Sequence, residues 1–179
     1  MENFGYTIWK YSNGESQEEV NYIPDKPKGI GNEETLSYDY VKIEDLEKKL
    51  VELVEKVAWR LRKEEMKASV VNVHLKTKEF VNISHQKKLS SRTDTTQDIL
   101  NTAKELLREM YDGTPIRLIG VRVDGLEDKE QFQMSIFDED DNKKDKRIDD
   151  TLDKLKAKYG YNIVSRATNL KKKEPNTND

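Results

Sequence analysis

Two stretches with the period of an amphipathic helix, separated by two stretches that alternate apolar and polar residues, constrain the fold most strongly. Residues 43–65 and 95–111 carry apolar side chains at spacings of three and four. Between them, residues 69–78 and 80–89 alternate, which is typical of strands with one buried face. Further strands are indicated at 33–40 and 116–123, so the order is β-α-β-β-α-β.

This order predicts an α+β fold in which two helices cover one face of a four-stranded sheet. Because Lys78-Glu79 is a short connection, the central strands should form a hairpin, with Val81 and Ile83 facing inward. Asp94 or Thr95 can cap the second helix.

Two flanking segments complete the predicted architecture. Residues 4–14 form an aromatic cluster that ends at Asn13-Gly14, where the glycine is a helix C-cap or part of a turn. A third helix is expected over about 146–159, ending at Gly160. We therefore predict an N-terminal segment and linker at 1–28, a folded domain at 29–126 and a C-terminal tail at 127–179.

The net charge of −3 over 179 residues hides two segments of opposite sign. Residues 66–93 hold six lysines and arginines against one acid, whereas residues 127–153 hold eleven acids against five bases. Cysteine is absent, which excludes disulfides, thiolate metal sites and cysteine catalysis. No stretch is apolar enough for a signal peptide or a membrane span, so we expect no membrane partner and a cytoplasmic protein.

The sheet face that the helices leave open should hold basic and small polar side chains. Such a set suits contacts to phosphate and sugar, which position a protein on nucleic acid without reading its sequence. An ordinary solvated sheet face is the alternative. The candidate residues are Lys76, Lys78, Ser84, Gln86, Lys87, Lys88, Ser90, Arg92, Thr93 and Arg122, with Asn72 as a further neutral donor.

Other polar residues give weaker indications. Arg117 and Arg122 are five apart, so on a regular strand they point to opposite faces and at most one contacts phosphate, while the other pairs with a helix carboxylate. His74 and His85 lie on different strands with no acid at ligand spacing, which argues against a metal pair. The acids are not clustered for two-metal chemistry, so we predict no active site in this chain.

A short peptide in the acidic tail is a candidate docking motif. In an extended peptide, the Gln133 amide can bond backbone groups while Ile136 and Phe137 enter an apolar pocket. The alternative is an edge strand that packs on the domain itself. The full peptide is Gln133, Met134, Ser135, Ile136 and Phe137.

The residues in order resemble the C-terminal, little-finger region of bacterial Y-family translesion DNA polymerases of the DinB/UmuC type. Phe4 to Gly14 is similar to the end of the preceding thumb, and Leu152 to Gly160 with Ser165-Arg-Ala167 is similar to the tail of some members. The remaining matching segments are Pro27–Asn32 with Thr35-Leu36, Val57–Arg62, Val73–Lys76 with Phe80, Ile83–Leu89, and Pro115–Val121, the last being the most specific.

The resemblance implies a little finger that grips template–primer duplex through its sheet, mainly by backbone contacts in the major groove. It also implies that Gln133–Phe137 binds a sliding clamp, with Ile136 in place of the usual leucine. Glu33 and Glu34 stand where many relatives carry a basic or neutral residue. The catalytic palm and fingers, with their magnesium-binding carboxylates, are expected upstream, so the chain is interpreted as a fragment that has no cofactor of its own.

Two functions from other classes remain open. One is an RNA-binding or single-strand-binding split βαβ module, which needs aromatic side chains on the open face; Phe80 at the hairpin turn is the nearest candidate. The other is a protein-interaction adaptor whose sheet face is inert.

Overall fold

A computed structural model describes residues 4–15, 26–129, 142–164 and 166–167. The elements of the sheet domain are β1 (Gly29–Tyr40), α2 (Ile43–Lys63), β2 (Met66–Thr77), β3 (Asn82–Thr93), α3 (Thr96–Met110), β4 (Ile116–Asp124) and β5 (Glu127–Asp128), after α1 (Phe4–Ser12) and before α4 (Asn142–Tyr159). The predicted β-α-β-β-α-β order is therefore confirmed.

The strands lie in the order β1-β4-β2-β3, and every neighbouring pair is antiparallel. The two-residue strand β5 pairs with the start of β2. Helices α2 and α3 pack on one face, where their apolar stripes meet inward side chains such as Val71, Val73 and Ile119 to form the core. Burying these side chains fixes the register, because a slip of one residue would turn every one of them to the other face.

Helix α1 ends in a Schellman motif, which decides between the two interpretations of Gly14. The Gly14 amide donates to the Tyr11 carbonyl at 3.1 Å, and the Glu15 amide donates to the Lys10 carbonyl at 2.9 Å. Gly14 has a φ of +74°, the left-handed conformation that this cap requires and that glycine adopts without strain. Gly14 is thus a helix C-cap residue.

Helix α4 docks on the domain through polar contacts. Asp149 is buried and accepts two hydrogen bonds from Thr96, one from the amide and one from the hydroxyl, both at 2.8 Å. Arg62 donates to Asp149 at 3.2 Å and to both oxygens of Asp153 at 2.6 and 3.0 Å. Burial acts to lower the pKa of Arg62, but its hydrogen bonds to Asp153 and the nearby carboxylate charges outweigh burial and raise the pKa above its usual value. This guanidinium therefore stays charged.

Two predicted details near these elements are wrong. Neither Asp94 nor Thr95 makes the side-chain cap of α3: the N-cap residue Thr95 makes no such bond, and Asp149 from α4 accepts from the first helical amide instead. Val81 is 57% exposed because it belongs to the hairpin turn, and β3 begins after it, at Asn82. Ile83 does pack against the core as expected.

Within the described ranges, no helix is both long enough and apolar enough to span a bilayer.

Candidate nucleic-acid interface

The sheet face opposite α2 and α3, called the open face below, consists of four cross-strand rows. Directly paired residues of antiparallel strands point to the same face, so the register defines each row. In strand order β1-β4-β2-β3, the rows are Gly29-Asp124-Val70-Lys88, Gly31-Arg122-Asn72-Gln86, Glu33-Gly120-His74-Ser84 and Thr35-Leu118-Lys76-Asn82. All of these residues except Gly120 are exposed or half-buried.

Much of the predicted set lies on this face. Lys76, Lys88 and Arg122 supply its cationic side chains, while Asn72, Ser84 and Gln86 supply neutral donors between them. Lys78 is exposed in the turn beyond the last row. Ser90 and Arg92 lie beyond Lys88, in the part of β3 where the register with β2 shifts. Arg92 forms an ion pair with Glu127 of β5.

The predicted position of Lys87 is wrong. Lys87 pairs with Val71, which is buried under the helices, so its side chain starts from the helix-covered face. Its Nζ lies 2.6 Å from Oε2 of Glu105 on α3, and this hydrogen bond raises the pKa of Lys87. The alternation that directs Ile83 inward also directs Lys87 inward, so the parity of the strand was the signal to follow.

Thr93 is also misplaced in the predicted set. It is buried, with 6% of its surface exposed, and its hydroxyl donates to Asp98 in the first turn of α3 at 2.7 Å. Thr93 thus serves the junction between β3 and α3. The single surface expected from Lys76, Lys78 and Lys87 does not form, and the open face is a smaller cationic surface built on Lys76, Lys88 and Arg122.

Two acids on the open face reduce its positive charge. Glu33 Oε2 lies 2.8 Å from Nε2 of His74 across the row, and Asp124 accepts from Nε of Arg122 at 2.8 Å. Gly120 makes the first contact possible, because a Cβ there would lie 2.1 Å from Cε1 of His74. Glu34 points the other way, to Lys49 of α2 at 3.0 Å.

The two arginines of β4 do not follow the alternation predicted for a regular strand. Leu118 pairs with Lys76 and Ile116 pairs with Thr77, so Arg117 is the extra residue of a β-bulge and the strand is not regular there. Arg122 lies on the open face, paired with Asp124. The Arg117 guanidinium carbon lies 5.1 Å from the centre of the Phe80 ring rather than against a helix carboxylate.

Among the residues that the structure describes, no group of three or more His, Cys, Asp or Glu side chains could hold a metal ion. His74 is on the open face, whereas His85 pairs with buried Val73 and starts from the opposite face. The peptide from Gln133 to Phe137 lies outside the described residues.

Comparison with known proteins identifies the family of this chain. The impB/mucB/samB family C-terminal domain matches residues 27–136. DNA polymerase IV of Clostridium acetobutylicum is 37% identical over 174 residues, which are 97% of this chain and 44% of that protein. DNA polymerase IV 1 of Bacillus subtilis is 31% identical over 84% of this chain and 37% of its own length. The chain thus spans less than half the length of these curated relatives.

Solved structures show the same fold. A Y-family DNA polymerase chimera of Dbh and Dpo4 superposes with a TM-score of 0.53 at 18% identity, over 71% of this chain and 36% of that one. A post-insertion binary complex of Dbh DNA polymerase gives a TM-score of 0.51 at 19% identity, over 70% and 36%. The chain belongs to the impB/mucB/samB family C-terminal domain, and its curated relatives include bacterial DNA polymerases IV.

Proposed function

We propose that this chain is the part of a lesion-bypass DNA polymerase that grips the template–primer duplex and docks on a sliding clamp. The observation that carries the proposal is the open face. Its rows hold Lys76, Lys88 and Arg122 among amide and hydroxyl donors, on the side of the sheet that α2 and α3 leave uncovered. Amide and hydroxyl groups can donate to phosphate oxygens, and the cations release counterions when they neutralise phosphates.

The balance of charges predicts weak binding. Only three cations lie in the rows, and Asp124 already engages Arg122. A non-specific interface of this size belongs in the range of about 10⁻⁴ to 10⁻⁶ M at physiological salt. Weak binding by one domain is sufficient when clamp and polymerase hold the same DNA, because a second tethered contact raises the effective concentration.

Adjacent lysines on opposite faces give a matched test of the DNA contact. We expect Lys88→Ala to weaken duplex binding and to reduce the slope of log K against log salt concentration by ~0.9, the effect of one phosphate contact. Lys87→Ala should leave the slope unchanged, since Lys87 pairs with Glu105 on the helix-covered side. Fluorescence anisotropy of a labelled duplex over a salt series measures both, and equal effects of the two changes would contradict the proposal.

Clamp docking rests on the Gln133–Phe137 peptide. A Gln133→Ala/Phe137→Ala double variant should lose capture by an immobilised bacterial sliding clamp while its duplex affinity stays that of the parent chain. Capture that survives the double change rules out this peptide as the docking segment. The magnesium ions and the catalytic carboxylates of such an enzyme would be supplied by other parts of the polymerase.

The open face does not favour the single-strand-binding alternative. Its four rows contain no Phe, Tyr or Trp, so successive bases have no platform on the sheet itself. If the unmodified chain bound the clamp but did not bind DNA, the adaptor function would replace the DNA-binding function.

A further inference from the structure

The hairpin turn between β2 and β3 holds a bulky side chain in an unfavourable backbone conformation. Phe80 has a φ of +65°, in the left-handed region that glycine and asparagine tolerate and that bulky residues rarely adopt. The residue is 64% exposed, so packing against the core does not explain the choice of phenylalanine. An observed strain of this kind points to a function for the side chain.

The turn is held firmly in place. The Phe80 amide donates to the Thr77 carbonyl at 3.0 Å, and the Thr77 amide donates to the Val81 carbonyl at 2.9 Å. The Val81 amide also donates to the Thr77 hydroxyl at 3.2 Å, and the Lys78 amide reaches the Pro115 carbonyl at 3.0 Å. The exposed ring is therefore carried on a turn that is already ordered, so little backbone conformational entropy is lost when a flat ligand stacks on it.

One cationic side chain lies over this ring, and two lysines are close to it in sequence. The Arg117 guanidinium lies 5.1 Å from the ring centre, a distance at which a cation is attracted to an aromatic face. Lys76 belongs to the last row of the open face, and the exposed Lys78 begins the turn. A flat apolar surface next to several phosphate-binding groups fits a nucleotide whose base is free to stack.

We propose that Phe80, backed by Arg117, stacks on an unpaired nucleobase where a DNA strand leaves the duplex held by the open face. A paired base is already stacked within its helix, so the ligand is a single-stranded extension next to the duplex end. This inference rests on the proposed function, because the duplex on the open face brings the unpaired base to the turn.

The test uses the 179-residue chain, a blunt DNA duplex, and the same duplex with a single-stranded 5′ extension. In fluorescence anisotropy the parent chain should prefer the extended duplex by at least about fivefold, the lower end of base–aromatic stacking. Phe80→Gly should abolish this preference and leave blunt-duplex binding unchanged, whereas Phe80→Tyr should keep it. Glycine suits the positive φ, so Phe80→Gly should fold at least as well as the parent.

Other outcomes separate this inference from the proposed function. Salt-dependent binding of the blunt duplex with no preference for the extension would overturn the stacking site alone. Absence of binding to either DNA would overturn both. A preference for the extended duplex that survives Phe80→Gly would rule out stacking, and so would a preference that Phe80→Leu retains in full. If Phe80→Gly lost clamp capture but kept the preference, Phe80 would be assigned to a protein contact instead.

Discussion

Removal of the Asp149 carboxylate should destabilise the domain although this residue comes from the C-terminal helix. Asp149 holds the Thr96 amide and hydroxyl at 2.8 Å and lies 3.2 Å from Arg62. The side chains of Arg62 and Asp149 are only 7% and 8% exposed. Asp149→Ala therefore leaves a buried guanidinium with fewer partners and the start of α3 without its cap.

The size of the effect follows from these contacts. Loss of an N-terminal helix cap lowers the free energy of unfolding by about 1 kcal/mol. Removing one partner of a buried ion pair lowers it by about 3–5 kcal/mol. Arg62 keeps both contacts to Asp153, at 2.6 and 3.0 Å, so the second cost is only partly incurred. We expect a loss of about 2–4 kcal/mol for Asp149→Ala and about half of that for Asp149→Asn, which retains one oxygen for the Thr96 amide.

Urea denaturation followed by circular dichroism measures the free energy of unfolding, with Asp150→Ala as the matched control. Asp150 is the exposed neighbour on the same helix, so its removal should change stability by less than about 0.5 kcal/mol. Hydrogen exchange at the Thr96 amide reports the cap directly and should accelerate in Asp149→Ala alone. Equal stabilities for the two alanine variants would refute the view that α4 is bound into the domain by this network.

Two further predictions concern the open face and the tail. Gly120→Ala should lower the free energy of unfolding by about 1–3 kcal/mol, because the new Cβ would lie 2.1 Å from Cε1 of His74 and 2.8 Å from Cβ of Glu33. Urea denaturation of Gly120→Ala with and without His74→Ala tests this, and a double variant that recovers no stability would contradict it. Burial raises the pKa of Tyr161 from 10.0 to about 12, so stability that is present below pH 10 should be lost as the pH rises toward 12. The loss should exceed that of Tyr161→Phe by up to about 2 kcal/mol, and parallel profiles of unfolding free energy against pH for the two proteins would contradict this.

The sequence was sufficient for the elements whose pattern is enforced by burial. Helices α2 and α3 each bury a continuous stripe, so their period is visible in the sequence. Strands β2 and β4 are central, and over 71–77 in β2 and 119–123 in β4 every second residue is buried. Strand β3 is an edge strand, and the stretch Ser84–Lys88 is exposed on both faces. Its alternation therefore carries little apolar signal, which is why the predicted face of Lys87 is wrong.

Contacts between residues distant in sequence were beyond any local pattern. The cap of α3 comes from Asp149, 53 residues after Thr96, and the bulge at Arg117 shows only in the pairing of β4 with two neighbours. Short-range rules choose the nearest suitable side chain, here Asp94 or Thr95. An acid elsewhere in the chain can displace them when tertiary packing brings it to the helix N-terminus.

The contacts of α4 extend the packed domain beyond the family match. The family match ends at residue 136, yet Arg62 and Thr96, both inside that match, bind Asp149 and Asp153 beyond it. The Lys129 amide donates to the Glu65 carbonyl at 2.9 Å, so the chain is attached to the domain on both sides of residues 130–141. A buried ion pair that loses one partner destabilises both of the elements that it joins. The network around Arg62 therefore makes the stability of the matched domain depend on a helix that lies beyond the match in sequence.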